Sequence, residues 1–307
     1  MSYRIAIVGL GKIAHDQHIP AIAASDRFDL VAAATRAGHA EAIALFPDID
    51  DLLASDVAFD AIAMCQPPQV RFEAAAKAIR AGKHVLLEKP PGATLAEVAV
   101  LADMARDKGT TLFAAWHSRH APGVEPAREW LAGRTVMRVE IVWKEDVRRW
   151  HPGQQWIWEA GGLGVFDPGI NALSIATRIL PAPLMVRGAV LERPANRAAP
   201  IAASLDLVDA GGAAAMAVFD WRQTGPQTWD IVVETDDGSL TLSHGGAMFS
   251  VDGIERDVGP EREYSSIYES FAELIATGRS DVDAAPLRLV ADAFLHGRQD
   301  VVDPFDD

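Results

Sequence analysis

The feature that most constrains the fold is a glycine-rich string placed directly after the first apolar run. Residues 3–8 predict a buried strand, and Gly9, Gly11 and Ala14 follow it around the start of a helix near Ile13. In such a unit the first glycine permits a tight turn, the second lets the backbone approach a pyrophosphate, and the third small residue allows close helix–strand packing. The helix N-terminus adds amides for an anion. The string predicts a dinucleotide site, with a purely structural turn as the alternative.

Apolar runs and helical patterns alternate from this turn to about residue 118. A strand, a helix and another strand in succession specify a parallel sheet with right-handed crossovers. Residues 1–118 are therefore predicted to form an α/β, Rossmann-type dinucleotide-binding domain. Its further strands are predicted at 28–34, 61–65, 85–87 and 111–115, its further helices at 41–46, 73–81 and 95–108, and a short segment at 51–54.

The pattern changes after Ser118. Several strands are predicted between residues 184 and 252, because apolar and polar residues alternate there. Residues 119–307 are expected to form a second, α+β domain with a mainly antiparallel open sheet. A second domain also suits a chain of 307 residues, which is longer than one hydrophobic core usually supports. Other elements are predicted as a strand at 136–147 and helices at 126–131, 168–180, 264–277 and 286–296.

Charge and hydropathy limit the partners of the chain. Its 43 acidic and 28 basic residues give a net charge of −15, which nucleic acid and an anionic membrane surface would repel. No stretch approaches the roughly 20 apolar residues that span a bilayer. The first strand begins too early for a cleavable signal peptide. We therefore expect a cytoplasmic protein that binds neither nucleic acid nor membrane.

Cysteine and histidine usage predicts no metal site. Cys65 is the single cysteine and lies in an apolar run, so it is interpreted as a small buried hydrophobe rather than a nucleophile. His117 and His120 are three residues apart, but no cysteine or carboxylate accompanies them at a metal-binding spacing.

The end of the second strand bears on the choice of dinucleotide. NAD sites usually carry Asp or Glu there to bind the ribose hydroxyls, whereas this chain has Thr35-Arg36. A hydroxyl and a guanidinium suit a 2′-phosphate. We expect NADP to be preferred with some use of NAD; alternatively, Arg36 is solvated or stacks on adenine with either cofactor.

A second string, Glu88-Lys89-Pro90, places a lysine at the carboxyl end of a buried strand, where doubly wound sheets hold ligands. With it, the chain resembles the glucose–fructose oxidoreductase/inositol 2-dehydrogenase family over essentially its whole length. The resemblance implies a lysine near the nicotinamide and a C-terminal sheet that often mediates dimerisation, hence a homodimer. The strings at 144–158 and 116–119 are closest to those of bacterial D-galactose/L-arabinose 1-dehydrogenases, which implies oxidation of an aldose at C1 to the lactone.

Two strings depart from the family pattern. Asn171 stands four residues after Asp167, where the family often has histidine, and Gln66-Pro67-Pro68 with Arg71 replaces a more usual Thr-Pro-Pro and His. An amide is not a base at neutral pH. The candidates for the group that accepts the C1 hydroxyl proton are therefore Lys89, Asp167 or a water that they hold.

The sequence does not decide whether Lys89 or Asp167 accepts this proton. Lys89 serves as the base if burial or nearby positive charge lowers its pKa from the ordinary value near ~10.4. Otherwise it stays protonated and stabilises the developing alkoxide while Asp167 takes the proton. We expect a coupled catalytic pair. Asp167 followed by proline also suits a helix N-cap, which is the structural alternative. Within one helix, Asp167 and Asn171 would share a face that grips adjacent sugar hydroxyls.

The loop 143–158 holds four of the eight tryptophans. Aromatic walls with carboxylate and imidazole groups suit the apolar faces and hydroxyls of sugars. Glu145 and His151 are the first choices for hydroxyl contacts, followed by Trp150 and His117. Ordinary core packing is the alternative for the tryptophans, and the favoured one for Trp143, Trp156 and Trp158.

The expected activity is NADP-preferring oxidation of D-galactose, L-arabinose or a similar small sugar at C1. An inositol-type or other polyol dehydrogenase of the same family is one alternative, and a dinucleotide-sensing regulator without turnover is another. The expected cofactor-binding residues are Gly9, Gly11, Lys12, Ile13, Ala14, Thr35, Arg36, Cys65, Gln66, Pro67, Glu88 and Lys89.

Overall fold

The computed structural model describes residues 2–36 and 43–306, which form two compact units. The first unit comprises Met1–His117 and Arg262–Ala284, and the second comprises Ser118–Glu261 and Ala285–Asp307. The segment Arg262–Ala284 had been expected in the second domain, but it packs with the first unit. Its helix carries apolar side chains that complete the first unit's core.

The first unit is built on a six-stranded parallel sheet in the order β3-β2-β1-β4-β5-β6. This is the doubly wound order, in which ligands bind where the strand order reverses, at the carboxyl ends of β1 and β4. The strands are β1 (Tyr3–Val8), β2 (Phe28–Ala34), β3 (Ala44–Phe46), β4 (Ala61–Met64), β5 (His84–Glu88) and β6 (Leu112–Ala115).

Helices cover both faces of this sheet, because alternate side chains of each strand point to opposite faces. Ile5 and Ile7 pack with the first and last helices of the unit, whereas Ala6 and Val8 pack on the opposite side. The helical segments are a π-helical turn (Ala14–His18), α1 (Ile19–Ala23), α2 (Ile49–Ala54), a 3₁₀ turn (Pro68–Val70), α3 (Arg71–Arg80), α4 (Leu95–Lys108) and, from the far end of the chain, α8 (Glu263–Thr277).

The second unit is built on a nine-stranded sheet in the order β14-β13-β12-β11-β7-β10-β9-β8-β15. Among the described strands of this second sheet, only the β7–β10 and β8–β15 pairs are parallel, so the predicted mainly antiparallel sheet is confirmed. Its strands are β7 (Val136–Lys144), β8 (Leu184–Pro194), β9 (Ala202–Asp209), β10 (Ala214–Asp220), β11 (Thr228–Thr235), β12 (Gly238–Ser243), β13 (Met248–Val251), β14 (Ile254–Arg256) and β15 (Gly297–Val302).

Helices of the second unit pack on this sheet and on one another. Gly169 brings one of them close to the sheet, since a Cβ there would lie 3.1 Å from the ring of Phe219. The helices are α5 (Val124–Leu131), α6 (Val147–Trp150), α7 (Phe166–Ile179) and α9 (Ala285–His296), with 3₁₀ turns at His117–His120, Gln155–Ile157 and His244–Gly246. Over residues 2–36 and 43–306, the helices are too short or too polar to cross a bilayer.

One predicted element is wrong in type over its described residues, and another ends earlier than predicted. Residues 41 and 42 of the predicted helix 41–46 lie outside the described residues, and Ala44–Phe46 is an edge strand paired with β2. The strand predicted at 136–147 ends at Lys144, because Asp146 caps the short helix that begins at Val147. Strand pairing and capping override the local apolar pattern in these segments.

Candidate active site

The turn after β1 requires glycine at its first position for two reasons. Gly9 has a φ of +93°, which L side chains rarely adopt, and its N–H donates to the carbonyl of Ala34 at 2.9 Å. A Cβ at this position would also lie 3.1 Å from both Cγ and N of Gln66. The turn therefore brings β1 against the segment that follows β4.

Gly11 differs, because neither backbone conformation nor packing within the chain demands glycine there. Its φ is not positive, and a Cβ would have no heavy atom within 4 Å. Beyond it the helix starts, with the N–H of Ala14 donating to the Gly11 carbonyl at 3.1 Å. An open approach to the backbone at a helix N-terminus fits the pyrophosphate of a dinucleotide.

The residues expected near the adenosine end occupy exposed or half-buried positions. Lys12 is exposed and pairs with Asp16 one turn along the helix. The N–H of Thr35 donates to the carbonyl of Phe46 at 2.9 Å, which fixes the end of β2, and Arg36 is exposed beside it. An exposed guanidinium at this edge can meet a phosphate.

Three predicted cofactor segments meet at one edge of the first sheet. Val8, Met64 and Leu87 are register partners on the adjacent strands β1, β4 and β5. Gly9, the 65–67 segment and the 88–89 segment follow these partners directly. The structure therefore places the glycine turn beside Cys65-Gln66-Pro67 and Glu88-Lys89, at the carboxyl edge where a ligand is expected.

Arg71 binds the backbone of the segments at this edge, a role that sequence reasoning missed. Its side chain is 2% exposed, and its guanidinium donates to the backbone carbonyls of Gln66, Glu88 and Pro90. The planar fork can serve several carbonyls at once. The arginine noted as a departure from the family pattern thus links the two segments expected to face the cofactor; the Lys89–Pro90 peptide between two of its partners is cis.

A buried polar cluster lies directly behind Lys89. The Glu88 carboxylate is 3% exposed; its Oε1 lies 3.1 Å from Nε2 of His18 and accepts from the hydroxyl of Tyr264 at 2.8 Å. Its Oε2 accepts from the backbone N–H of Lys89 at 2.8 Å. Nδ1 of His18 lies 2.7 Å from the hydroxyl of Tyr268. We call His18, Glu88, Tyr264 and Tyr268 the tyrosine–histidine cluster.

Charges in this cluster are mutually stabilised. Burial alone would raise the pKa of Glu88, but the hydrogen bond and charge of His18 outweigh burial and lower that pKa to about 2. Burial would also lower the pKa of His18, yet its contacts with Cys65, Tyr268 and Glu88 raise it well above the ordinary value. Burial raises the pKa of Tyr268 to about 12. At neutral pH the cluster therefore holds a buried imidazolium–carboxylate pair between neutral tyrosines.

His117, expected to contact sugar, belongs to the first unit and is held by neighbours there. Its Nδ1 lies 2.6 Å from Oε2 of Glu263, and its ring stacks on Tyr264 with centroids 5.4 Å apart. The side chain remains 17% exposed. Cys65 is buried and carries a free thiol, and its proximity helps to raise the pKa of His18.

In the second unit, a glycine-rich segment sets the start of α7. A Cβ at Gly162 would lie 2.4 Å from the carbonyl oxygen of Ile157, and one at Gly164 would lie 2.2 Å from that of Pro200. Only glycine fits such close approaches. The segment therefore anchors the first turn of α7, which carries Asp167, against the loop 143–158.

Asp167 is not the N-cap of this helix. The helix starts at Phe166, Val165 occupies the N-cap position, and no side chain caps it. Asp167 is instead the second helical residue and is 4% exposed. Asn171 follows one turn later on the same helix and is half-buried, so the two share a face as expected.

His151 links two of the other predicted site residues, Asp167 and Glu145. Nδ1 of His151 lies 3.5 Å from Oδ2 of Asp167, and Nε2 of the same ring lies 3.1 Å from Oε1 of Glu145. The imidazole therefore stands between two buried carboxylates. This arrangement can orient a ligand hydroxyl and accept or pass on a proton.

Tryptophans surround this group, and two of them come from outside the predicted loop. Trp229 donates its indole N–H to Oε2 of Glu145 at 2.8 Å and lies 5.0 Å from Trp150 by ring centroids. Trp221 is fully buried, and its ring centroid lies 5.3 Å from that of His151. The pairing of β7 with β11, which sets Trp143 opposite Trp229, was the signal that could have identified the latter.

Trp221 carries a donor with no acceptor among the described residues. A buried N–H left without a partner costs about 1–3 kcal/mol. Trp143 and Trp158 are buried as expected for core packing, whereas Trp156 is half-buried.

The predicted site residues thus form two groups. Lys89, His117 and the residues predicted to bind the cofactor lie in the first unit, whereas Glu145, Trp150, His151, Asp167 and Asn171 lie in the second. In the parts of the chain that are described, no group of three or more His, Cys, Asp or Glu side chains has a metal-binding arrangement.

Comparison with known proteins gives a family match within the first unit and two relatives that match nearly the whole chain. The profile of an oxidoreductase family with an NAD-binding Rossmann fold matches residues 3–116. Galactose 1-dehydrogenase of Pseudomonas fluorescens is 46% identical over 304 residues, which span 99% of each chain. The crystal structure of a D-galactose-1-dehydrogenase protein from Rhizobium etli has a TM-score of 0.95 and 56% identity, covering 99% of this chain and 98% of that one.

More distant structures share the fold alone. A 3-ketoreductase from Actinomadura kijaniata in complex with NADP and TDP-benzene has a TM-score of 0.85 but only 21% identity, covering 98% of this chain and all of that chain.

Proposed function

The chain belongs to the oxidoreductase family with an NAD-binding Rossmann fold, and from this premise we propose that it is an NAD(P)-dependent aldose 1-dehydrogenase. The proposed substrate is D-galactose, L-arabinose or a sugar of the same configuration at C2 to C4, oxidised at C1 to the lactone. The similarity to two galactose dehydrogenases over nearly the whole chain supports a sugar substrate.

The observation that carries the proposal is the set of polar side chains that lies among the tryptophans of the second unit. Asp167, His151 and Glu145 are buried or nearly so, and the imidazole lies between the two carboxylates. Hydroxyls of a sugar can satisfy such groups, while its apolar C–H faces pack on indole rings.

The first unit supplies the dinucleotide site in this proposal. The backbone at Gly11 and the start of the helix would bind the pyrophosphate, and the 65–67 and 88–89 segments would face the nicotinamide end. When bound, the nicotinamide ring accepts the hydride lost from the sugar. Thr35 and Arg36 would bind a 2′-phosphate, which supports a preference for NADP with NAD as a second cofactor.

Lys89 and Asp167 are the proposed catalytic residues. The C1 hydroxyl must lose its proton as the carbon is oxidised, and Lys89 either accepts that proton or stabilises the alkoxide as a cation. Asp167, 3.5 Å from the His151 ring, can accept the proton and share it with the imidazole. Asn171, on the same helix face as Asp167, is proposed to bind an adjacent hydroxyl.

The proposal is tested by the formation of reduced nicotinamide with a panel of aldoses and inositols, each with NADP and with NAD. We expect turnover with D-galactose and L-arabinose and none with inositols. Turnover of inositols alone would instead support a secondary alcohol dehydrogenase of the same family. Cofactor binding without turnover of any sugar would support the sensing regulator.

A homodimer through the C-terminal sheet is proposed as well. Met185 on β8 and Met216 on β10 are 49% and 43% exposed, which would favour coverage by a second copy. Sedimentation equilibrium on the wild type and on a Met216→Glu variant tests this. A wild type that sediments as a monomer would contradict it.

A further inference from the structure

We propose that the tyrosine–histidine cluster is a positioning device for Lys89, in which Tyr264 and Tyr268 are positioning residues supplied by α8. The inference rests on the proposed function, in which Lys89 acts on the sugar. None of the four cluster residues contacts a substrate in this scheme. They act through the backbone of Lys89.

The hydrogen bonds of the cluster form a consistent set. An ionised Glu88 accepts from Tyr264 and His18 on Oε1 and from the backbone of Lys89 on Oε2. A doubly protonated His18 donates through Nε2 to Glu88 and through Nδ1 to the oxygen of Tyr268. Both oxygens of Glu88 and both ring nitrogens of His18 thus have partners, which favours a single geometry of the cluster.

The cluster joins segments that are far apart in the chain. His18 lies in the π-helical turn that follows the dinucleotide turn, Glu88 ends β5, and the two tyrosines lie one turn apart on α8. Edge-to-face packing of His18 on Tyr264 and on Tyr268, at centroid distances of 5.1 and 5.9 Å, fixes the imidazole further.

The connection to Lys89 is direct and two-sided. The N–H of Lys89 donates to Glu88, and Arg71 holds the carbonyls of Glu88 and Pro90 on either side of it. The backbone of Lys89 is thus held from both sides, while its side chain is half-buried. Small displacements of a reacting group reduce rates steeply, by as much as about a hundredfold for 1 Å.

Tyr264→Phe tests the proposal with little risk to folding, because it removes one hydroxyl and keeps the ring. We expect kcat to fall about tenfold while the affinity for reduced dinucleotide, measured by fluorescence titration, stays unchanged. The matched control is Tyr3→Phe. Tyr3 packs beside Phe28 in the same unit and is outside the cluster, so its variant should keep the wild-type kcat.

A double-mutant cycle separates positioning from general stabilisation. If Tyr264 acts through Lys89, Tyr264→Phe should have no further effect on single-turnover rates in a Lys89→Ala background. The same fold-loss in both backgrounds would overturn the proposal. So would an unchanged kcat accompanied only by a lower Tm, since this is what a merely structural hydroxyl predicts.

A readout that needs no sugar distinguishes failure of this inference from failure of the proposed function. A brief acetic anhydride pulse, followed by mass spectrometry, gives the acetylation of Lys89 relative to Lys108, an exposed lysine at the end of α4. We expect this ratio to change in Tyr264→Phe and Tyr268→Phe and to stay constant in Tyr3→Phe. If the ratio changes but no aldose is oxidised, the proposed function fails and the positioning role stands. An unchanged ratio in both cluster variants would overturn the positioning role.

Discussion

Oε1 of Glu145 lies 3.1 Å from Nε2 of His151, so two side chains expected separately to grip sugar hydroxyls also bind each other. The second carboxylate oxygen of Glu145 accepts from the indole of Trp229. Both oxygens of this buried group thus have protein partners, whereas His151 presents its other nitrogen toward Asp167. We infer that Glu145 acts on the sugar chiefly by orienting His151 and Trp229.

Replacing Glu145 by Gln should weaken sugar binding more than it slows turnover. The amide can still accept from Trp229, but the charge-assisted bond to His151, worth about 1.5–3 kcal/mol, is lost. We expect KM for D-galactose to rise roughly tenfold to a hundredfold, with the dinucleotide affinity unchanged. Glu140→Gln on β7, the strand that precedes Glu145, is the matched control, since the Glu140 side chain is 44% exposed and pairs with Arg138. An unchanged KM in Glu145→Gln would contradict the assigned role.

Lys89→Ala should lower kcat by about 10²–10⁴, the usual contribution of a positioned acid or base, while the dinucleotide still binds. Lys89→Arg separates the two mechanisms. A cation that stabilises the alkoxide is partly replaced by a guanidinium, whereas a proton acceptor is not, because arginine stays protonated. Lys108→Ala serves as the surface control in steady-state kinetics. An undiminished kcat in Lys89→Ala would remove the lysine from the mechanism.

Arg36→Ala should weaken NADP binding roughly tenfold or more and leave NAD binding nearly unchanged, because only NADP carries a 2′-phosphate for the guanidinium. Isothermal titration with both dinucleotides measures this. Arg80→Ala, at the exposed end of α3, removes the same charge elsewhere in the unit. Equal losses for NADP and NAD in Arg36→Ala would contradict the 2′-phosphate assignment.

Local sequence signals were sufficient for much of the fold. The strands Tyr3–Val8 and Phe28–Ala34 and the helix Leu95–Lys108 have the predicted bounds, because apolar periodicity and a Gly109 C-cap mark them strongly. The strand Ala44–Phe46 could not be predicted in this way. It has three residues at the sheet edge, and its pairing with β2 overrides its local helical pattern.

The candidate site shows the same contrast between residues that local sequence indicates and residues that only the folded chain brings together. Glu145, His151, Asp167 and Asn171 could be selected by residue type and resemblance, and the structure brings the first three together. The tyrosine–histidine cluster could not be foreseen, because Tyr264 and Glu88 are 176 residues apart and no local motif links them. Helix α8 had been expected in the other domain, so its tyrosines were not considered for the cofactor side.

The two glycines of the turn should respond differently to alanine. Gly9→Ala forces a side chain into a left-handed conformation, costing about 1–2 kcal/mol, and against Gln66, so Tm should fall by several degrees. Gly11→Ala places its methyl in open space, so Tm should stay unchanged while dinucleotide affinity falls about tenfold. Calorimetry with and without dinucleotide measures both. A Gly11→Ala protein with full affinity would remove the close backbone approach from the binding scheme.

The buried pair of His18 and Glu88 should make stability depend on pH at both ends of the range. Because the pKa of Glu88 is lowered from 4.5 to about 2 in the folded protein, its contribution is present above about pH 4.5 and is lost as pH falls toward 2. The pKa of His18 is raised well above 6.5, so its contribution is present below pH 6.5 and is lost as pH rises through the folded value.

Thermal midpoints of the wild type and Glu88→Gln, measured from neutral pH downward, isolate the carboxylate. We expect the wild type to exceed the variant most near neutral pH, and the difference to shrink between about pH 4.5 and pH 2, because a protonated Glu88 resembles the amide. Asp50→Asn is the control: Asp50 forms an exposed pair with Lys77, and such pairs contribute little, so its midpoint should follow the wild type at every pH. A Glu88→Gln difference that stays constant down to pH 2 would show that the ionised carboxylate does not stabilise the folded protein.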